Sequence, residues 1–224
     1  MLLAIDTSTS LIGAACLRGV EVLSEVTVAD ARAHGELLAP TIAEAVRQSG
    51  GELGDLRQIV VGVGPGPFTG LRVAITTGVV MGHALGIPVV GVCSLDALAV
   101  QAMHGPAGEQ RWSEFLVATD ARRKEVYWAR YAVREGVPTR VGHPAVARAA
   151  DLSPALRSLP AVGRGPLLYP QELSSAGGPR DVSPAALGAL ADVPEALLPP
   201  EPLYLRRPDA VPTGARHPVS TVAP

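Results

Sequence analysis

Three aspartates stand where a carboxylate could do chemistry: Asp6 after "LLAI", Asp96 after "VVGVCSL" and Asp120 after "FLVAT". A carboxylate at a strand end can act as acid, base or magnesium ligand, and the same position serves turns and caps. The glycine run "IVVGVGPGPFTGLRVAITTGVV", Ile59 to Val80, poses a second possibility. A glycine-rich turn between a strand and a helix offers backbone N–H groups and a positive helix end to a phosphate. A P-loop is excluded, because Gly70 is followed by Leu71 and Arg72 and the phosphate-reaching lysine is missing. The dinucleotide pattern fails too: counted from Gly62 its last glycine falls on Pro67, and from Gly64 on Thr69. Two readings stay open, a phosphate cradle outside both patterns and a stiff turn with Pro67 near the helix start.

Other chemistries have little foothold. The five histidines, His34, His83, His104, His143 and His217, include no pair three to five residues apart, so a helical metal pair is absent. There is no Gly-x-Ser-x-Gly elbow. Cys16 and Cys93 lack Cys-x-x-Cys spacing and sit in apolar, strand-like contexts, which predicts buried free thiols. Arg122, Arg123 and Lys124 form a compact basic cluster, readable as a solvated turn or as an RNA contact, and Arg206-Arg207 is similarly ambiguous.

The 224 residues are 47% hydrophobic and 18% charged with a formal net charge of −2, which fits a soluble globular chain of one large or two small domains. That balance argues against a protein gripping nucleic acid by its own charge. "MLLAIDTSTS" has no basic segment before its apolar run, so it is not read as a secretion signal. No uninterrupted apolar run reaches the length of a membrane helix, the stretch from Gly70 to Val92 being broken by Arg72, His83 and Pro88. A cytoplasmic location is expected.

The elements that must position these residues follow from periodicity. "LLAIDTS" and "LIGAACLRGVEVLSEVTV" predict a strand, a polar turn and two strands joined at Arg18-Gly19. "HGELLAPTIAEAVRQSG" predicts a helix with Leu38, Ile42, Ala45 and Val46 on one face, stopped by Gly50-Gly51. Ile59 to Gly64 reads as a strand buried on both faces, and Phe68 to Leu85 as a helix apolar nearly all round. In that helix Ala74, Gly78, Gly82 and Gly86 recur every four residues, a ridge without bulk that either packs on the chain's own sheet or receives a partner helix. "IPVVGVCSL" predicts another buried strand, and "DALAVQAM" a helix after it. Beyond "HGPAGEQ" the pattern restarts: "EFLVATDARRKEVYWARYAV" is a strand ending in aspartate, a polar turn and alternating strands, with Asp120 where Asp6 stood. The remainder is poorer in predicted structure, with twelve of the 21 prolines between Pro144 and Pro208 and one clear helical segment, "SPAALGALADV".

Six segments in order across residues 1 to 206 then carry a resemblance: "LAIDTST", "AHGELLAP", "VGVGPGPFTGLRVA", "PVVGVCSLDALA", "TDARRKEVYWA" and "PLYLR". Together they resemble the bacterial TsaB (YeaZ) family of the threonylcarbamoyladenosine tRNA-modification pathway, with Gly35 replacing the family's usual serine after His34. The resemblance implies an α/β fold of the actin-like and sugar-kinase-like (ASKHA) class with two duplicated lobes. The expected organisation is a first lobe over residues 1–106, a smaller second lobe over 107–206 and a disordered tail over 207–224.

It also implies a function: a noncatalytic subunit that binds and activates TsaD, the enzyme placing a threonylcarbamoyl group on N6 of the adenosine beside the anticodon. TsaD resembles TsaB, and it has metal-binding histidines in a His-Met-Glu-Gly-His stretch where this chain reads Ser94-Leu95-Asp96-Ala97-Leu98, with Ser94 and Leu98 at the histidine positions. Leucine cannot ligate a metal. No catalytic residue, metal or cofactor is therefore expected, and the glycine loop becomes inherited architecture. The family pairs with TsaD, or with a second TsaB in its absence, through first-lobe helices. Here that assigns His34, Leu38, Ile42, Leu71, Ala74, Gly78, Gly82 and Leu85 to the partner interface. The ATPase TsaE joins the complex, and tRNA is reached only through it. Asp6, Thr7, Gly64, Gly66 and Asp120 mark a vestigial nucleotide cleft in which weak nucleotide binding stays open. The rival readings are an ATP-dependent kinase or ATPase of the actin-like class, a peptidase, and a homodimeric binding protein without an enzyme partner.

Overall fold

The computed structural model describes residues 1–30, 34–103 and 112–206; the expected tail at 207–224 and the expected lobe boundary at 106/107 lie outside the described residues. The first lobe runs β1 (Leu2–Asp6), β2 (Leu11–Arg18), β3 (Glu21–Ala29), α1 (His34–Gln48), β4 (Gln58–Gly64), α2 (Phe68–Leu85), β5 (Val89–Cys93) and α3 (Ser94–Met103). The second runs β6 (Glu114–Asp120), β7 (Glu125–Arg134), β8 (Val137–Arg148), α4 (Pro154–Arg157), β9 (Pro160–Val162), α5 (Gly165–Leu168) and β10 (Ser174–Ser175). Then α6 (Pro184–Gly188) and β11 (Leu197–Leu198) follow.

The restart at Asp120 is a duplication in three dimensions. The first sheet is ordered β11-β5-β4-β1-β2-β3 and the second β10-β9-β6-β7-β8. In each, an antiparallel meander is extended on its first strand by parallel pairing, β1 with β4 and β6 with β9, and then by a further parallel strand. This is the actin-like, sugar-kinase-like arrangement.

The expected division at 107–206 is not how the chain is shared out. β11 pairs antiparallel with β5 and so completes the first sheet, and α6 packs on β1, β2 and α3. Apolar side chains at Leu187, Leu190 and Leu197 are satisfied by the first lobe, which draws the chain back across the boundary. One apolar core therefore spans both lobes, joining Val92, Leu95 and Leu98 to Phe115, Tyr131 and Val162. A second core lies under α1 and α2, and a third on the far side of the second sheet.

α2 has the bounds that its periodicity predicts and ends at Gly86, whose φ of 65° only glycine adopts without strain. With 18 residues and a mean hydropathy of 1.2 it is long and apolar enough to cross a membrane by length and composition alone, even with Arg72 and His83 in it. Its inner face lies against the first sheet. Both cysteines are buried free thiols, and burial pushes the Cys93 thiol up to about 12. The native protein is expected to show no reaction with a thiol reagent at pH 8, and two thiols once unfolded, read by absorbance in a denaturant series.

Candidate functional site

The end of β1, the glycine loop and the start of α3 meet at Asp6. One carboxylate oxygen accepts from the Ser8 N–H at 2.8 Å and the Ser8 hydroxyl at 2.7 Å; the other accepts from the Ser94 hydroxyl at 2.7 Å. Ser94 Oγ in turn accepts from the Gly64 N–H at 3.1 Å. Ser94 is thus a latch between three segments. Gly62 makes room for it, since a Cβ there would come 1.8 Å from Asp6 Oδ2. Asp6 is 2% exposed, and desolvation lifts its pKa above the ordinary 3.8 against the lowering pull of Ser94 and Ser8.

A raised carboxyl pKa in the folded state means that the native protein holds this proton to higher pH than the unfolded chain does. Its contribution favours the fold at low pH and is lost as pH rises from the unfolded pKa, about 3.9, toward the raised native one. The unfolding free energy of Asp6→Asn relative to wild type is therefore expected to rise with pH from about 4 upward. Asp6→Ala, which strands buried Ser8 and Ser94 donors, should cost about 2 kcal/mol. Urea unfolding at several pH values checks both, and a wild-type-minus-Asn difference flat in pH would remove Asp6 as the titrating group.

The glycine loop is a tightly packed turn. Gly64 has φ of 94°, and a Cβ on it would press on Leu71; one on Gly66 would stand 2.5 Å from the Ser8 carbonyl oxygen. Thr7 is buried and donates to the Gly70 carbonyl at 2.6 Å, so it too is structural. Asp6, Thr7, Gly64 and Gly66 therefore do not line the cleft that they were expected to mark. Asp120 does, accepting from the Arg122 N–H at 2.7 Å.

That cleft, about 380 Å³, lies between the turn after β1, the starts of α1 and α2, and the second lobe. Ser8, His34, Thr69, Gly70, Asp120, Arg164 and Asp181 are among its walls. Arg164 and Asp181 form a two-pronged ion pair, both contacts 2.7 Å, that no local pattern in the sequence announces. The Arg122-Arg123-Lys124 cluster is an exposed turn with all three residues at positive φ. Arg206 is structural, donating to the Ala121 carbonyl and paired with Glu125.

The expected partner interface needs a larger correction. Leu38, Leu71 and Ala74 are at most 1% exposed and belong to the core under α1 and α2. A Cβ on Gly78 would meet Val61 at 2.4 Å, and one on Gly82 would meet Val89 at 2.2 Å, so the small-residue ridge packs on the chain's own sheet. His34 is buried in the cleft wall, and Leu85 is partly buried against the same core. Only Ile42 reaches an outward feature, as the floor of an apolar groove of about 570 Å³ between α1 and α2. Its other walls include Ala39, Ala43, Val46, Leu53, Thr77 and Met81. Val79 and Val80 on α2 are 41% and 61% exposed.

The distant "PLYLR" segment packs beside the glycine loop. Leu203 donates its N–H to Val63 at 2.8 Å, the Tyr204 ring stacks on Phe68 at 5.2 Å, and Arg72 Nε donates to the Tyr204 hydroxyl at 2.9 Å.

A family model described as TsaD, tRNA N6-adenosine threonylcarbamoyltransferase, matches residues 21–177. An uncharacterized protein of Mycobacterium tuberculosis is 45% identical over 212 residues, 94% of this chain and 93% of its own. The tRNA threonylcarbamoyladenosine biosynthesis protein TsaB of Escherichia coli is 35% identical over 132 residues, covering 58% of this chain and 54% of its own. The solved structure of YeaZ from Pseudomonas aeruginosa superposes with a TM-score of 0.74 at 28% identity, covering 91% of this chain and 99% of that one. The chain belongs to the TsaD family and, within it, to the TsaB (YeaZ) proteins.

Proposed function

We propose that this protein is the noncatalytic subunit that binds and activates TsaD for transfer of a threonylcarbamoyl group to N6 of the adenosine beside the tRNA anticodon. The observation that carries the reading is the outward groove of α1 and α2, an apolar surface on the pair of helices that the family uses for pairing. Exposed apolar side chains of this extent on a folded chain mark a contact surface. Membership of the TsaB proteins supports the pathway. Ser94 supports the noncatalytic role, because its hydroxyl is engaged inside the Asp6 latch and the buried Leu98, at the other histidine position, offers no ligand.

In this reading TsaD seats on α1 and α2, and a second copy of the chain takes the same groove when TsaD is absent. TsaE joins the pair, tRNA is reached through TsaD, and the work is done in the cytoplasm. The test is threonylcarbamoyl transfer to unmodified tRNA by TsaD and TsaE of the same organism with the adenylate supplied. Transfer that depends on adding this protein, with none by the protein alone, is the expected outcome. Equal rates in both tubes would overturn the activating role, and transfer by the protein alone would overturn the noncatalytic one.

A further inference from the structure

Of the three aspartates, Asp96 is the one that neither the latch nor the cleft uses. It stands in the first turn of α3, the helix by which the first lobe packs on β6, β7 and β8 of the second. Tyr131 and Arg140 are cross-strand partners on β7 and β8, so their side chains leave the second sheet on the same face. Both reach Asp96: the Tyr131 hydroxyl donates to Oδ1 at 2.7 Å, and a terminal guanidinium nitrogen of Arg140 lies 3.4 Å from the same oxygen. The Cys93 thiol, at the end of β5, lies against this guanidinium. Two residues of the second lobe thus close on one carboxylate of the first.

Around this cluster the seam between the lobes is apolar, with Val92, Leu95 and Leu98 joined to Phe115, Tyr131 and Val162. Apolar contact is non-directional and by itself would let the two faces slide. A carboxylate held by a hydrogen bond and an ion pair from two neighbouring strands permits one relative placement, because any slide would leave the charge unpaired among apolar side chains. There is a second tie: Arg206, which follows β11 of the first sheet, donates to the Ala121 carbonyl and pairs with Glu125. We infer that Asp96, Tyr131 and Arg140 lock the two lobes into one rigid body, so that the chain does not hinge about its cleft and the seam parts only when the whole molecule unfolds. The lock is independent of the partner groove and of what docks there.

The two native thiols read the lock, because Cys93 sits in the seam and Cys16 in the separate core under α1. The full chain is incubated with N-ethylmaleimide at pH 8, and peptide mass spectrometry follows the label at each cysteine over hours. In wild type Cys93 should label no faster than Cys16. In Asp96→Ala the rate at Cys93 should rise at least about tenfold relative to Cys16, since the lobes then part locally without global unfolding. A loss of stability alone would speed both thiols together and leave the ratio where it was. Tyr131→Phe keeps the charges and the ring packing and removes one hydrogen bond; it should raise the ratio about threefold or more, and it decides the matter if Asp96→Ala does not fold. A wild-type Cys93 that labels faster than Cys16, or a ratio unmoved in the deciding variant, would overturn the lock.

Discussion

Gly78→Leu is expected to destabilise the fold itself rather than only to release a partner. A Cβ at this position would stand 2.4 Å from Val61 Cγ1 and 3.4 Å from both Ile5 and Ile59. All three neighbours are fully buried on β1 and β4, the central strands of the first sheet, so none can swing into solvent. α2 would have to lift from the sheet, and Ala74 and Gly82 on the same face would lose their contacts with it. Overpacking of a fixed core costs about 1–3 kcal/mol in milder cases, and with backbone and sheet both immovable at least about 3 kcal/mol is expected here. For a chain of this size that lowers the melting temperature by about 6–12 °C. A thermal melt of the dilute protein reads it without any partner present. A melt equal to wild type, combined with lost pairing, would return the ridge to the interface.

The ridge also shows where reading a sequence stops. Small residues every four positions establish that α2 has a face without bulk. They carry no information about which surface comes against it, because the chain's own β4 and β5 and a foreign helix ask for the same residues. The pattern of β1, β2 and β3 returning at β6, β7 and β8 was legible, since alternation and a terminal aspartate are local signals. So was α1, whose Leu38, Ile42, Ala45 and Val46 are all buried. β9 and β10 were not, being three and two residues long and set among prolines. Nor was the return of α6 and β11 to the first lobe, a pairing across more than a hundred residues with no local mark.

The candidate site divides in the same way. Asp6 drew notice by its type and place, but its role followed only from Ser94 at the start of α3 and Gly62 on β4, which meet it from elsewhere in the chain. His34 could be named as part of a motif, whereas its position in the cleft depends on Gly70 and Thr7 of neighbouring elements. The Arg164–Asp181 pair had no signal at all, each residue being an ordinary charge until the fold joined them.

The second large effect is expected at Ala43→Asp, which should abolish pairing with TsaD while leaving the free protein intact. Ala43 is exposed on α1 and lines the groove together with Ile42, Val46, Thr77 and Met81. In the free chain an aspartate there stays hydrated, so stability should remain within about 0.5 kcal/mol of wild type. In a complex the same carboxylate would be stripped of water against an apolar partner, at several kcal/mol if nothing pairs it. A loss of affinity of well over tenfold follows, and threonylcarbamoyl transfer at limiting protein should fall with it. Val80→Asp, on the exposed side of α2, should act alike, whereas Leu167→Asp, at a residue 48% exposed in the second lobe, should not. Calorimetric titration of each variant with TsaD, beside its melting curve, separates binding from folding. If Ala43→Asp in the groove and Val80→Asp on the exposed side of α2 both bind as wild type does, the docking surface lies off this face of α1 and α2, and the exposed Phe68–Tyr204 stack at the other end of α2 becomes the next place to introduce a charge.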